Sequence, residues 1–445
     1  MCHQLPARVS VAFQMGKNSF SDLQQRQHAF PATPDLGRYS VNSRQRVLAA
    51  LRHEEPDKVP VDFGATTNTG IVYTAYKELR DYLGLPSRIP RVYDLMQMLA
   101  EVDQDVRELF QVDCIGIERL NLRYGLSNAR WKTFTMPNGE QIEVSTDFSP
   151  EIEPDGALVI KRQGHSVARM PANGYWFDAT YFPLAEAKSP ADLKGVRLPD
   201  WPDEELEVLH QTARQLYEET EYAIVGTHGG GLFQNGHSLR GFEQWMLDLG
   251  GDPEMAEAVL DLMLDQNLRT MRAYLDAVGD YIQVVKVGDD LGTQTGPFMS
   301  LAMFRRLFKP RYREFYSYIK QRCPHLHIYL HSCGAVSQFI PDLIECGVDI
   351  LNPVQISAAG MDPVKLKAEY GDRLTFWGGG IDTQRTLPFG TTDEVRAEVK
   401  RLMDIFAPGG GFVWGTVHNI QAKVPAANIA AMFESVQENR AYSRS

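Results

Sequence analysis

The stretch 326–334, L-H-I-Y-L-H-S-C-G, sets a histidine and a cysteine two residues apart at the end of an apolar run. Alternate residues of a strand face the same way, so His331 and Cys333 aim at one point. Imidazole and thiolate are the donor pair that Zn²⁺ favours. The third candidate ligand is His418, in G-T-V-H-N-I-Q at the end of the last strand-like run, 85 residues beyond Cys333. Three protein ligands leave one tetrahedral position open, which is the arrangement of a catalytic zinc. An open position of that kind holds a substrate thiol as thiolate or lowers the pKa of a bound water. The competing description is plain: an ordinary hydrogen-bonded histidine and a small buried cysteine. Placement in the fold decides between the two.

The strand-like runs near residues 59, 113, 223, 281, 327, 348, 374 and 412 number eight, most of them separated by helical patterns. Apolar runs alternating with helices predict a parallel sheet covered on both faces. Eight such units predict an α/β fold of the (β/α)8 TIM-barrel type. The barrel is expected as a single domain over 42–440, and residues 1–41 as a polar, poorly ordered N-terminal extension. A helix leads into the barrel after Asn42-Ser43, where S-R-Q-R-V-L-A-A-L-R has helical spacing. Further helices are expected at about 72–83, 95–110, 203–220, 239–278 with a break at G-G-D-P, 301–321 with a break at Pro310, 335–346, 361–370 and 392–406. Residues 131–182 interrupt the rhythm with W-K-T-F-T, Q-I-E-V-S-T and A-L-V-I-K-R between N-G and D-G turn signals. That pattern predicts an inserted antiparallel β-hairpin region.

In such a barrel the C-terminal strand ends converge on one ring, however far apart they lie in sequence. Besides the three candidate ligands, the polar residues just past the strand ends are Asp62, Glu118, His228, Asp289, Asp290, Asn352, Gln355, Asp382 and Asn419. Asp289 and Asp290, in G-D-D-L-G, are the candidate catalytic carboxylates, orienting substrate or accepting a proton. Loop capping is the other role their position allows. Asp62, His228, Asn352, Gln355, Asp382 and Asn419 are the candidate substrate-binding residues. Neither G-x-x-x-x-G-K-[ST] nor a strand-linked G-x-G-x-x-G occurs, so the nucleotide-cofactor patterns are absent.

The 445 residues carry 57 acidic and 45 basic side chains, a net charge of −12. That balance argues against nucleic acid or an anionic membrane as the main partner. No apolar run approaches the ~20 residues that a membrane span needs. The first residues lack the charged start and apolar centre of a signal peptide. Five cysteines form an odd set without scaffold-like spacing, so a reducing cytoplasm is the expected location.

Several motifs resemble the uroporphyrinogen decarboxylase superfamily, in the branch described as uroporphyrinogen decarboxylase-like or corrinoid-dependent methyltransferase. They are N-S-R-Q-R-V-L-A-A-L-R-H-E-E-P-D-K-V-P-V-D-F, V-G-D-D-L-G-T-Q, H-S-C-G-A-V-S-Q-F-I-P-D-L-I-E-C-G-V-D-I-L-N-P-V-Q, F-W-G-G-G-I-D-T-Q and V-H-N-I-Q-A-K-V-P-A-A-N-I, spread over about 42–440. The resemblance implies a (β/α)8 barrel. The superfamily's decarboxylases grip carboxylates with arginines on the loop after the first strand and need no metal. Here that loop reads G-A-T-T-N-T-G, without arginine. The methyltransferases carry the H-x-C and complete a zinc site with a cysteine near the eighth strand, where this chain has His418. The function implied is a zinc-dependent methyltransferase moving a methyl group between a corrinoid and a small acceptor or donor. No D-x-H-x-x-G corrinoid pattern occurs, so the corrinoid is expected on a partner protein. The alternatives are a metal-free decarboxylase or lyase acting on a carboxylated substrate, with Asp289 or Asp290 polarising it, and a non-catalytic binding subunit. An oligomer is compatible with each.

Overall fold

Seven parallel strands follow one another in chain order: Cys114–Gly116, Ala223–Gly229, Val284–Gly288, His327–His331, Ile350–Asn352, Thr375–Trp377 and Phe412–Val413. The computed structural model describes residues 41–442, Glu118 excepted; the expected extension at the N-terminus and Glu118 lie outside the described residues. The eighth stave is the segment 59–63. Val61 bridges Trp414 in parallel on one side, and its carbonyl accepts the Asp113 N–H at 2.7 Å on the other. Pro60 has no N–H to give to a ladder, so this closing stave is joined by single bonds rather than by regular pairing. Its carbonyl still accepts the Trp414 N–H at 2.8 Å.

The entry helix Ser43–Leu51 is fixed by a capping box between Asn42 and Gln45. Its Val47, Ala50 and Leu51 pack with Val225, Val284, Tyr329, Ile350, Trp377 and Val413. That helix closes the N-terminal end of the barrel, and the chemistry is left to the opposite end.

The inserted region is antiparallel, as its turn signals predict. Trp131–Thr135 pairs with Gln141–Ser145, and Leu158–Arg162 with His165–Met170 in a four-stranded patch edged by Glu151–Ile152 and Asp178–Ala179. The expected helix at 95–110 is corrected: only Gln104–Leu109 is helical. Val92–Asp94 and Leu99–Ala100 are short strands in a three-stranded sheet with Ile71–Val72. The helix near 301–321 is relieved by a π turn at Phe304–Phe308, and Pro310 follows directly after it in Lys309–Arg322, so the wider turn accommodates the proline ring and its missing N–H. Ala426–Asn439 is a closing helix that the pattern reading did not include. Among the described residues no helix is long and apolar enough to cross a membrane.

Candidate metal centre and substrate cavity

The parallel register stacks the barrel interior in layers. Gly288 pairs with His331 and His331 with Asn352, while one layer earlier Lys286 pairs with Tyr329. Past His331 the chain is pinned by its neighbours. Ser332 N–H donates to the Asn352 carbonyl at 2.6 Å, Cys333 N–H to Asp290 Oδ1 at 2.9 Å, and Gly334 N–H to Gln355 Oε1 at 2.7 Å. Gly334 has φ +87°, and a Cβ there would lie 2.3 Å from the Gly292 carbonyl carbon. The two loops therefore touch backbone to backbone, which only glycine allows.

His331, Cys333 and His418 come together: their ligating atoms all lie within 4.8 Å of one another. Cys333 Sγ is 3.3 Å from His331 Nε2, and the two imidazole centroids are 5.5 Å apart. Asn352 orients the cluster. Its Nδ2 donates to the Trp377 carbonyl at 2.8 Å, so Oδ1 is left to accept from His331 Nδ1–H at 2.6 Å. That pair fixes the tautomer with the lone pair on Nε2, facing Cys333. Asn68 Nδ2 donates to the same lone pair at 3.0 Å. Burial holds both imidazoles down to about 3, helped at His331 by the Lys286 charge and at His418 by His331. Both rings are thus neutral at physiological pH, the form that binds metal. Burial, then the Asp290 charge, pushes the Cys333 thiol up.

The donor set suits Zn²⁺. With bonds of ~2.0–2.3 Å, tetrahedral ligand atoms sit about 3.3–3.8 Å apart, so side-chain shifts of about 1 Å would close this cluster on an ion. Asn352→Ala removes the acceptor that fixes the His331 ring. Zinc affinity is expected to fall about 10- to 100-fold, read by competition with a chromophoric chelator in variant and wild type.

The two adjacent aspartates part company. Asp290 lines the cavity, with Oδ1 3.5 Å from His331 Nε2 and Oδ2 accepting from Gln234 Nε2 at 2.7 Å. Asp289 points the other way and is fully buried. It accepts the N–H groups of Leu232, Phe233 and Gln234 at 2.6, 2.8 and 2.7 Å, and the Tyr312 hydroxyl. Asp289 therefore caps the start of the helix Phe233–Arg240 from the neighbouring loop, and it is Asp290 of the two candidate carboxylates that faces the cavity. Burial lifts its carboxyl to about 6 against the pull of those donors.

Of the expected substrate-binding residues, only His228 lines the cavity. Its Nε2–H faces Thr270 Oγ1 at 3.0 Å, whose own hydroxyl donates to the Gln266 carbonyl, while Nδ1 has no partner. The other five do not line the cavity. Asp62 accepts the Trp377 indole N–H at 2.8 Å and the Ala65 N–H at 3.1 Å. Asn352 and Gln355 hold the histidine–cysteine loop as described above. Asp382 caps a turn through the N–H groups of Gln384 and Arg385. Asn419 ties the strand-eight loop to the first loop by accepting the Gly70 N–H and donating to the Thr67 carbonyl, each at 2.7 Å.

The cavity above the cluster has a volume of about 520 Å³ and reaches from His331 and His418 to Trp176 of the inserted region. That is the size of a small-molecule site. Its walls include Lys286, Arg107, Arg119 and Arg123. Lys286 went unremarked in the sequence reading. The signal was available: it is the one charge in V-V-K-V, and it falls two residues before Gly288, on the same face.

Comparison with known proteins adds the lineage. The family profile described as uroporphyrinogen decarboxylase (URO-D) matches residues 180–439, more than half of the chain. The chain belongs to the uroporphyrinogen decarboxylase family. Within and around that family, a methylcobamide:CoM methyltransferase MtaA of Methanosarcina barkeri is 25% identical over 393 residues, covering 86% of this chain and 96% of that protein. A uroporphyrinogen decarboxylase of Alkalilimnicola ehrlichii is 22% identical over 277 residues, covering 60% of this chain and 70% of its own. The solved structure of a methyltransferase from Methanosarcina mazei shares the fold at a TM-score of 0.55 and 21% identity, over 90% of this chain and 99% of that one.

Proposed function

We propose that this member of the uroporphyrinogen decarboxylase family is a zinc-dependent methyltransferase, moving a methyl group between a corrinoid on a partner protein and a small acceptor or donor. The observation that carries the reading is the cluster of His331, Cys333 and His418 at the barrel mouth, with its ligating atoms within 4.8 Å. The full-length similarity to methyltransferases supports it. Zn²⁺ held by these three side chains would supply the Lewis acidity that keeps a substrate thiol or hydroxyl ionised near neutral pH.

The chain's own residues do the rest. Asn352 presents His331 Nε2 to the site. Asp290 anchors the Cys333 backbone and offers a carboxylate oxygen 3.5 Å from Nε2, placed to accept the proton that the substrate gives up on binding. The cavity walls hold a small substrate in one orientation beneath the mouth, where a methyl-bearing partner would be presented in line. The cytoplasm is the location proposed, in keeping with four free cysteines among the described residues.

Elemental analysis of untagged, anaerobically purified protein tests the reading. The expected result is about one zinc per chain; protein that is active in methyl transfer yet free of metal would overturn it. The second reading, a metal-free decarboxylase, is favoured by Arg107 and Arg123 in the cavity wall, cations suited to substrate carboxylates. Release of CO₂ from uroporphyrinogen would decide for it.

A further inference from the structure

We propose that Trp176 is a specificity-determining residue: its indole face stacks on an aromatic ring of the small substrate, so that the methyl acceptor or donor is a compound carrying a flat, apolar ring. The inference deepens the function proposed above and rests on reading the barrel mouth as the substrate site.

Of the inserted region 131–182, a single side chain lines the cavity, and it is Trp176. The indole is 37% exposed. The other tryptophans are covered. Trp245, Trp377 and Trp414 are fully buried. Trp131 and Trp201 are half-buried, and each has a guanidinium over its ring, Arg91 at 4.8 Å and Arg119 at 4.4 Å. Among the described residues Trp176 has neither a ring nor a cation against its face, and its indole N–H has no acceptor. So much uncovered aromatic surface is unusual for the side chain with the largest apolar area to bury.

A tryptophan on a loose loop would also be exposed, but the chain beside this one is anchored. Phe177 is fully buried, with its ring edge-on to Phe148, which in turn meets Phe134. Its N–H donates to the Met96 carbonyl at 2.9 Å, and its own carbonyl accepts the Tyr124 hydroxyl at 3.1 Å. The first of these bonds sets Trp176 beside Met96, whose thioether is a good neighbour for aromatic rings, and Met96, Leu122 and Ile117 belong to the same cavity wall. The indole is thereby held in place before any ligand arrives, which lowers the cost of binding. A π face recognises another π face by offset or edge-on packing, beyond what buried area gives. The volume of about 520 Å³ has room for a ring as well as the reacting group at the histidine–cysteine cluster.

The test compares 2-phenylethanol with 2-cyclohexylethanol, neutral alcohols with a flat and a puckered ring, titrated into metal-free full-length protein by ligand-observed NMR. The saturated ring is the more apolar, so burial alone would favour it. Wild type is expected to bind the phenyl compound about 3- to 10-fold more tightly, the range of an aromatic pair. Trp176→Phe is expected to keep a preference, and Trp176→Leu, which retains an apolar side chain, to lose it. Equal affinities in wild type, binding of neither alcohol, or a preference that survives in Trp176→Leu would overturn the proposal. Neither probe needs zinc, so the two readings fail separately. Protein that takes up no zinc yet prefers the flat ring sinks only the metal-dependent function, and zinc-binding protein indifferent to the ring sinks only the role of Trp176.

Discussion

Cys333→Ser is expected to strip the centre of its metal. Sulfur is the only soft donor in the cluster, and its distance of 3.3 Å from His331 Nε2 places it at the heart of the three-atom group. A hydroxyl in its place stays protonated and binds zinc poorly. Loss of a direct ligand should exceed the 10- to 100-fold cost of losing an orienting partner, so affinity is expected to fall by more than about 100-fold. After dialysis the variant should hold almost no zinc, and methyl transfer should fall with it. The fold should survive, because the backbone N–H of residue 333 still donates to Asp290. Cys346→Ser is the control: that buried thiol faces the Lys309 carbonyl in the helix layer, and its loss should leave the metal in place. Wild-type zinc stoichiometry in the Cys333 variant would refute the centre.

The second large effect divides neighbours. Asp289→Ala is expected to destabilise the fold by roughly 3–5 kcal/mol, since several buried donors each lose an acceptor at a cost of about 1–3 kcal/mol. It leaves three backbone N–H groups at the start of the helix Phe233–Arg240 and the Tyr312 hydroxyl without an acceptor. Asp290→Ala, one residue on, should cost little stability, since its partners Gln234 and the Cys333 N–H lie in half-buried surroundings that water reaches. Its loss should show instead in turnover, and most strongly at lower pH, where a proton acceptor matters most. Thermal melts and rates measured on both variants separate the roles. Equal melting temperatures would contradict the assignment of Asp289 as a cap.

This pair also shows where the sequence is a poor guide. D-D in a loop says that two carboxylates leave a strand end, but adjacent side chains diverge, and pattern alone does not tell which turns into the cavity. The H-x-C was legible because it falls at the end of an apolar strand run; His331 closes the strand His327–His331, and Cys333 is brought beside it by the loop bonds to Asp290 and Gln355. The eight staves were legible for a similar reason, since apolar runs between helices are dictated by burial on both faces. The segment 95–110 misled because its apolar spacing suits a helix, whereas Leu99–Ala100 finds strand partners in Ile71–Val72 and Val92–Asp94. Asn352, Gln355 and Asn419, whose bonds reach the loops around the cluster, carry no mark of that role in the sequence. Asn352 and Asn419 are recognisable as supports only when their amide partners are seen.

The amide of Asn68 has one more implication. By donating to His331 Nε2 at 3.0 Å it acts as a placeholder, keeping the coordinating lone pair engaged whenever no ion claims it. Loading must evict that amide, and Asn68 sits in a loop whose neighbour Gly70 is tethered to Asn419, next to His418. A bound ion would therefore be felt at the rim of the barrel, and backbone hydrogen exchange at residues 64–70 is expected to differ between protein with and without added zinc, even before any substrate arrives.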